Sequence, residues 1–157
     1  LLLALILQVK QSKDITIIDT NKKRSDVCKQ AAKCSIAHPD DLGGLDNHYD
    51  IVFDAVGFAT TRKKSIQTIR QGGVIIHIGL SQADGEFDFR KTTLQEVKFI
   101  GTYCYTNEDF KLSLKMLIEK KLGNLSWLDY LPLKDEAKAF KEIHDGVTAS
   151  PKIILMP

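Results

Sequence analysis

Asp19 and Arg24 are the first residues of the chain whose types and spacing suggest ligand chemistry. Asp19 directly follows the apolar, β-branched run at 15–18, which is typical of a strand buried on both faces. At that place in a parallel sheet, a carboxylate can accept hydrogen bonds from ribose hydroxyls and repel a 2′-phosphate, which favours NAD over NADP. Arg24, five residues later, can lay its guanidinium against an adenine ring. An aspartate that only starts a turn is an equally good interpretation of Asp19 alone.

Two glycines end further apolar runs and could allow a ligand to approach the backbone. Gly57 ends the run at 50–56, and Gly79 ends the run at 74–78. Because glycine has no Cβ, it tolerates close backbone approach and unusual dihedral angles. These positions indicate cofactor-adjacent turns, although ordinary turns after a strand fit them equally well. The candidate cofactor-binding residues are Asp19, Arg24, Val56, Gly57, Gly79 and Leu80.

Strands and helices must alternate along the chain to bring these candidates to one edge of a sheet. The pattern predicts strands over 15–18, 35–37, 50–56, 74–78, 97–103 and 152–156, and helices over 1–11, 23–33, 61–70, 106–122 and 133–143. Gly72 and Gly73 are expected to stop the third of these helices. Repeated strand–helix–strand units imply an α/β fold with a doubly wound parallel sheet. Ligands of such sheets bind outside the carboxyl ends of the strands, where the candidates stand.

The composition is that of an ordinary globular protein. The 157 residues include 22 Lys and Arg against 20 Asp and Glu, a net charge of +2, which gives no reason to expect nucleic acid or a membrane as a partner. The apolar run at 1–7 is too short to cross a bilayer. Cys28, Cys34 and Cys104 have neither disulfide-framework nor zinc-site spacing, so we expect free buried thiols and a reducing compartment, the cytoplasm.

Several segments follow one another in a characteristic order. They are Asp19 with Arg24, Tyr-Asp-Ile-Val-Phe-Asp-Ala-Val-Gly at 49–57, Gly-Gly-Val-Ile-Ile-His-Ile-Gly at 72–79, Lys-Phe-Ile-Gly-Thr-Tyr at 98–103, Leu-Pro-Leu at 131–133, Ala-Phe at 139–140 and Lys-Ile-Ile-Leu at 152–155. No single segment is specific, but the ordered set resembles the coenzyme domain of the zinc-dependent medium-chain alcohol and polyol dehydrogenases. Cys104 stands where the polyol dehydrogenases carry an arginine, which argues against that subgroup.

The resemblance implies a Rossmann-like domain of an NAD-dependent enzyme that transfers a hydride between an alcohol or sugar-alcohol and the cofactor. The resemblance implies that Asp19 binds the adenosine ribose and that Arg24 lies against the adenine. It also implies that the backbone of Val56 and Gly57 contacts a ribose and that Gly79 and Leu80 lie near the nicotinamide. The resemblance also implies a homodimer or tetramer that pairs through the strand at 97–103.

The spacing to Asp19 also predicts that part of the domain lies outside the chain. The glycines of a dinucleotide-binding loop belong about 20 residues before the acidic residue, which places the last of them just ahead of Leu1, and the first methionine is Met116. We therefore expect a partial NAD-binding domain at 1–124 that lacks its first strand and glycine-rich loop. The segment 125–157 is expected to pack on a catalytic domain outside the chain.

Zinc and the catalytic residues are expected in that absent domain, so no catalytic or metal-ligating residue is predicted here. The histidines lack ligand spacing and are expected to be exposed or hydrogen-bonded; they are His38, His48, His77 and His144. The chain alone is expected to have no dehydrogenase activity.

Three alternatives remain open from the sequence. A zinc-free reductase of the quinone-reductase kind has the same fold, but such enzymes usually favour NADP, against which Asp19 argues. The chain as it stands could instead be a non-catalytic binding or assembly module. A methyltransferase also places an acidic residue after its second strand, but the region 72–79 gives it no support.

Overall fold

The computed structural model describes residues 1–157 and consists of parallel strands connected by helices. The strands are β1 (Thr16–Ile18), β2 (Ser35–Ala37), β3 (Tyr49–Asp54), β4 (Ile69–His77), β5 (Lys98–Gly101), β6 (Leu128–Pro132) and β7 (Lys152–Met156). The α-helices are α1 (Leu2–Val9), α2 (Lys22–Ala31), α3 (Ala59–Thr68), α4 (Phe89–Leu94), α5 (Asn107–Ile118) and α6 (Glu136–His144). Single 3₁₀ turns cover Pro39–Asp41 and Leu133–Asp135.

Every pair of neighbouring strands is parallel. β1 pairs with β2, and β6 pairs with β7. The other three strands form one sheet in the order β3, β4, β5. An α-helix lies between the members of each pair along the chain, because a parallel connection needs a crossover and a helix is its usual form. The predicted α/β fold class with parallel sheets and flanking helices is therefore confirmed.

The chain forms two compact units, each with its own apolar core. The first unit comprises Leu1–Asp41 and Asn107–Pro157, and the second comprises Leu42–Thr106. The core of the first unit contains Leu5, Ala32, Met116, Leu122 and Trp127. The core of the second unit contains Ile66, Ile69, Ile75 and Val97. The domain boundary after residue 124 stays a prediction.

Asn21 fixes the turn between β1 and α2 in the first unit. Its Oδ1 accepts the N–H of Arg24 at 3.1 Å and caps α2, while its own N–H donates to Asp19 Oδ1 at 2.8 Å. Its Nδ2 donates to the carbonyls of Gly146 and Thr148 at 2.7 and 3.3 Å. The position of Asp19 therefore depends on a polar contact between two distant parts of the chain.

The prediction that Gly72 and Gly73 stop a helix is wrong. α3 already ends at Thr68, and β4 begins at Ile69 and runs through both glycines. Tyr49 pairs with Ile69 and Ile51 pairs with Val74, so β4 uses more residues than β3 between these two pairs. The glycine segment is therefore a bulge inside β4. Gly72 has a φ of +69°, which a residue with a Cβ rarely adopts.

Two elements were not predicted, and one strand is shorter than predicted. α4 is one of these elements, and it begins where Asp88 Oδ1 accepts the N–H of Lys91 at 2.7 Å. β6 was also missed, because its five residues include a proline and only a weak apolar run. β5 covers only Lys98–Gly101 of the strand predicted at 97–103. None of the helices is long and apolar enough to cross a membrane.

Candidate cofactor site

The Asp19 carboxylate stands at the end of β1, as predicted, and is bound to Arg24. Its Oδ2 accepts a hydrogen bond from Arg24 Nε at 2.7 Å, and its Oδ1 accepts one from Arg24 Nη2 at 2.9 Å. This two-point ion pair matches the planar guanidinium to the carboxylate. It uses one edge of the guanidinium and leaves its faces available for stacking, and the Arg24 side chain is 34% exposed. The sequence predicted both residues but not their contact.

The surroundings of Asp19 favour its ionised form. Burial opposes ionisation, but the hydrogen bonds from Arg24 and from the Asn21 N–H, together with the Arg24 charge, outweigh it and hold the pKa of the Asp19 carboxyl below its ordinary value. A carboxylate offers about four lone-pair positions. Arg24 and Asn21 occupy three of them. Oδ2 therefore keeps one position that can accept a hydrogen bond from a hydroxyl group.

The remaining candidates lie in the second unit, where the buried Asp54 organises their backbone. Its Oδ1 accepts the N–H groups of Val56 at 3.1 Å and Gly57 at 2.9 Å, and its Oδ2 lies 3.1 Å from His77 Nδ1. Its carbonyl accepts the Gly79 N–H at 3.0 Å. Asp54 ends β3 and is paired in register with His77 at the end of β4. One buried residue therefore holds the turns after both strands.

Gly57 and Gly79 lie against each other, which explains why neither position carries a side chain. A Cβ on Gly57 would lie 2.1 Å from the Gly79 carbonyl oxygen, and a Cβ on Gly79 would lie 2.1 Å from the Val56 carbonyl carbon. Gly57 also has a φ of +81°. Both glycines were predicted as positions of close approach, but the approach that the structure shows is between two turns of the protein.

The turns after β3 and β4 differ in how many backbone groups stay available. The Gly57 carbonyl accepts both the Gln82 N–H at 3.1 Å and Arg62 Nη1 at 2.9 Å, so its acceptor positions are filled. The Val56 carbonyl accepts only the Ser81 N–H, at 3.3 Å, and keeps one position. The peptide groups of Leu80 make no hydrogen bond within the chain, and its side chain is 75% exposed.

Arg62 is a residue of this region that the sequence did not reveal. It begins the cluster Arg62-Lys63-Lys64, which predicts a solvated helix end, yet it is only 9% exposed. Its partners are the carbonyls of Gly57, Gln82 and Asp84, at 2.9, 3.0 and 2.5 Å. No signal in the sequence marks it, because its partners are backbone carbonyls, which any residue type can supply.

The histidines make the local contacts expected of them and do not form a metal site. His77 pairs with Asp54, and His38 Nδ1 lies 3.3 Å from Asp40 Oδ2, while His48 and His144 are exposed. The structure contains no group of three or more His, Cys, Asp and Glu residues that could hold a metal ion. The residues present therefore do not fit a zinc ion.

The cysteines are free, but the expectation that all are buried is wrong. Cys28 is buried and Cys34 is half-buried, and burial raises the pKa of both thiols. Cys104 is exposed because it lies just beyond β5, whose residues are all exposed.

Solved structures of other proteins share the fold of this chain. The chain is similar to L-idonate 5-dehydrogenase from Escherichia coli, with a TM-score of 0.84 and 19% identity over 99% of this chain and 46% of that one. It is also similar to acetophenone reductase from Geotrichum candidum in complex with NAD, with a TM-score of 0.85 and 16% identity over 98% of this chain and 44% of that one. At these identities the likeness shows the fold, which is Rossmann-like.

The chain belongs to the zinc-binding dehydrogenase family, whose model matches residues 3–119. The family predicted from the ordered segments is therefore confirmed. A curated relative, D-xylulose reductase from Saccharomyces cerevisiae, is 26% identical over 94 residues, which are 59% of this chain and 26% of that protein. The chain spans less than half the length of the curated relatives it matches.

The contact between the two glycines predicts a large effect of a single methyl group. We expect Gly57→Ala to lower the free energy of unfolding by at least about 2 kcal/mol, because it combines a disfavoured positive φ with a clash against Gly79. Urea unfolding of the complete protein measures this. Gly43→Ala is the matched control, since a Cβ at Gly43 meets nothing within 4 Å, and equal effects of the two variants would contradict the packing described.

The ion pair of Asp19 predicts a pH dependence. Because its pKa is lower in the folded than in the unfolded chain, the stability it contributes is fully present above the ordinary value of 3.8 and is lost as the pH falls through the folded-state pKa. We therefore expect Asp19→Asn to destabilise the protein at neutral pH and to cost progressively less below pH 3.8. Urea unfolding against pH tests this, with Arg24→Met as the second half of a double-mutant cycle. A cost that stays constant with pH would refute it.

Proposed function

We propose that this chain is the coenzyme-binding part of an NAD-dependent dehydrogenase, and that Asp19 binds the adenosine ribose. The observation that carries the proposal is the Asp19 carboxylate, which is held in its ionised form at the end of a parallel strand with one acceptor position on Oδ2 still open. A ribose hydroxyl is a donor that suits this position. Arg24 orients the carboxylate with one edge and offers a face on which an adenine can stack.

The second unit, taken by itself, offers backbone groups that suit the ribose and the nicotinamide of such a cofactor. Val56 offers one carbonyl acceptor for a ribose, and Leu80 offers an unpaired N–H and carbonyl to a polar group such as the nicotinamide carboxamide. Gly57 and Gly79 contribute by letting these turns approach each other, and no hydrogen bond to the cofactor is required of Gly57. When bound, NAD supplies the acceptor for a hydride.

We propose an alcohol or sugar-alcohol as the substrate of the complete protein. Its relatives include a D-xylulose reductase and a sorbitol dehydrogenase, which supports this class. Zinc, if the enzyme uses it, is assigned to residues outside this chain. The cytoplasm is the proposed compartment, because the three cysteines are unpaired.

The proposal predicts that the complete protein reduces NAD in the presence of a sugar-alcohol or simple alcohol. The measurement is NADH formation against a panel of both substrate kinds, with NAD or NADP as the cofactor. We expect turnover with NAD and little with NADP, because the open acceptor position on Asp19 Oδ2 suits a ribose hydroxyl, whereas a fully ionised 2′-phosphate has no hydrogen to donate to it. Absence of NAD binding by the purified protein would refute the proposal.

Asp19→Ala is the variant that connects this activity to the site. It removes the ribose acceptor and leaves Arg24 without its partner, so we expect the preference for NAD over NADP to fall by about tenfold or more. Asp40→Ala is the control, because it removes an exposed carboxylate that pairs only with His38. An unchanged preference in Asp19→Ala would show that this carboxylate does not read the ribose.

We also propose that two copies of the chain pair through the open edge of β5. β5 pairs only with β4, and its other edge carries the unpaired backbone groups that a second strand can use. Two apolar residues of this strand, Phe99 and Ile100, are 40% and 48% exposed. A two-fold axis beside the strand would extend the sheet into the second copy.

Ile100→Lys should convert such a dimer to a monomer, because it brings like charges together across the edge. Sedimentation of the complete protein measures the mass. Leu94→Lys, at an exposed position of α4, adds the same charge away from the edge and should leave the mass unchanged. A wild-type monomer, or a dimer that survives Ile100→Lys, would refute pairing through β5.

A further inference from the structure

Arg62 is the most unusual polar side chain of the second unit. Lys and Arg side chains are seldom fully buried unless they are paired with a carboxylate, and Arg62 is 9% exposed. Its partners are backbone carbonyls, those of Gly57, Gln82 and Asp84. A guanidinium can serve three acceptors in one plane, which a lysine ammonium cannot reproduce with the same geometry.

The partners of Arg62 belong to two different turns. Gly57 follows β3, whereas Gln82 and Asp84 belong to the loop that follows β4. A second hydrogen bond joins the same loop to the start of α3, because Gln82 Oε1 accepts the Ala59 N–H at 3.1 Å. Arg62 therefore clamps the loop at 80–85 to the turn after β3.

The loop is packed too closely around this clamp to tolerate an added methyl group. A Cβ on Gly85 would lie 2.5 Å from the Ala59 Cβ and 2.7 Å from Arg62 Nη2, and Gly85 has a φ of +145°. Ala59 at the start of α3 and the guanidinium of Arg62 together leave no room for a side chain at Gly85. Two residues far apart in sequence, one large and one small, fix one loop conformation.

We propose that Arg62 is a positioning residue for the nicotinamide end of the cofactor. It acts through the loop at 80–85, whose first residue, Leu80, presents unpaired peptide groups and an exposed side chain at the end of β4. This inference rests on the proposed function, which assigns Leu80 to the nicotinamide. Arg62 itself touches neither cofactor nor substrate in this account.

The role predicts a selective loss of affinity, because the adenosine contacts of Asp19 and Arg24 do not involve this loop. We expect Arg62→Met to weaken NADH binding by about tenfold or more, the loss that follows when hydrogen bonds to a charged group are removed. Binding of ADP, which lacks the nicotinamide riboside, should change by less than about twofold, within the range of substitutions without a direct role. Calorimetric titration of the complete protein with each ligand measures both.

Two further variants separate the clamp from a general effect on folding or charge. Gly85→Ala keeps the guanidinium but forces the loop away from it, and it should give the same selective loss of NADH affinity even if Arg62→Met fails to fold. Lys63→Met removes a neighbouring exposed charge of α3 and should leave both affinities unchanged.

The outcomes distinguish this inference from the proposed function. If the wild-type protein binds neither NADH nor ADP, the proposed function fails, and this inference fails with it. If the wild type binds NADH but Gly85→Ala weakens NADH and ADP equally, or weakens neither, the proposed function stands and the positioning role of Arg62 is wrong.

Discussion

The structure of the second unit depends on one close contact, the approach of the turn after β3 to the turn after β4 at Gly57 and Gly79. Parallel pairing places Asp54 beside His77, so β3 and β4 end at the same level of the sheet. The turns that follow the two strands are therefore brought into close contact. The turns fit only because neither glycine carries a Cβ. Sterics at this point therefore determine which backbone groups face outward at the carboxyl ends of the strands.

Buried charges of opposite sign stabilise that contact from its two sides. The Asp54 carboxylate accepts the Gly57 N–H, and the Arg62 guanidinium donates to the Gly57 carbonyl. Hydrogen bonds to charged groups are stronger than those between neutral groups. These hydrogen bonds hold Gly57 at its positive φ, a conformation that glycine adopts readily and that residues with a Cβ rarely adopt.

The sequence predicted the parts of this arrangement that depend on local patterns. Alternating apolar runs predicted the parallel α/β fold, and the strand ends located Asp19, Gly57 and Gly79. Contacts between distant residues were not accessible: the bulge at Gly72 needs the partner strand to reveal it, and the burial of Arg62 needs the loop that covers it. The lysines beside Arg62 favour a solvent-exposed position in the sequence. Arginine can either face water at the start of a helix or bind carbonyls in a buried turn, and the residue type alone does not distinguish the two.

At Asp19, charge and hydrogen bonding together affect which ligand the carboxylate can bind in the proposed site. An isolated carboxylate would repel any phosphate near it, but Arg24 cancels much of that charge at close range. In the proposed role of Asp19, discrimination between a ribose and its 2′-phosphate would then come from geometry: Oδ2 offers one acceptor position, and a fully ionised phosphate has no donor to fill it. The pair commits Nε and Nη2 of the guanidinium to the carboxylate oxygens. In the proposed site, cofactor preference would therefore be a property of the pair, positioned by the turn that Asn21 holds, and not of the acidic residue alone.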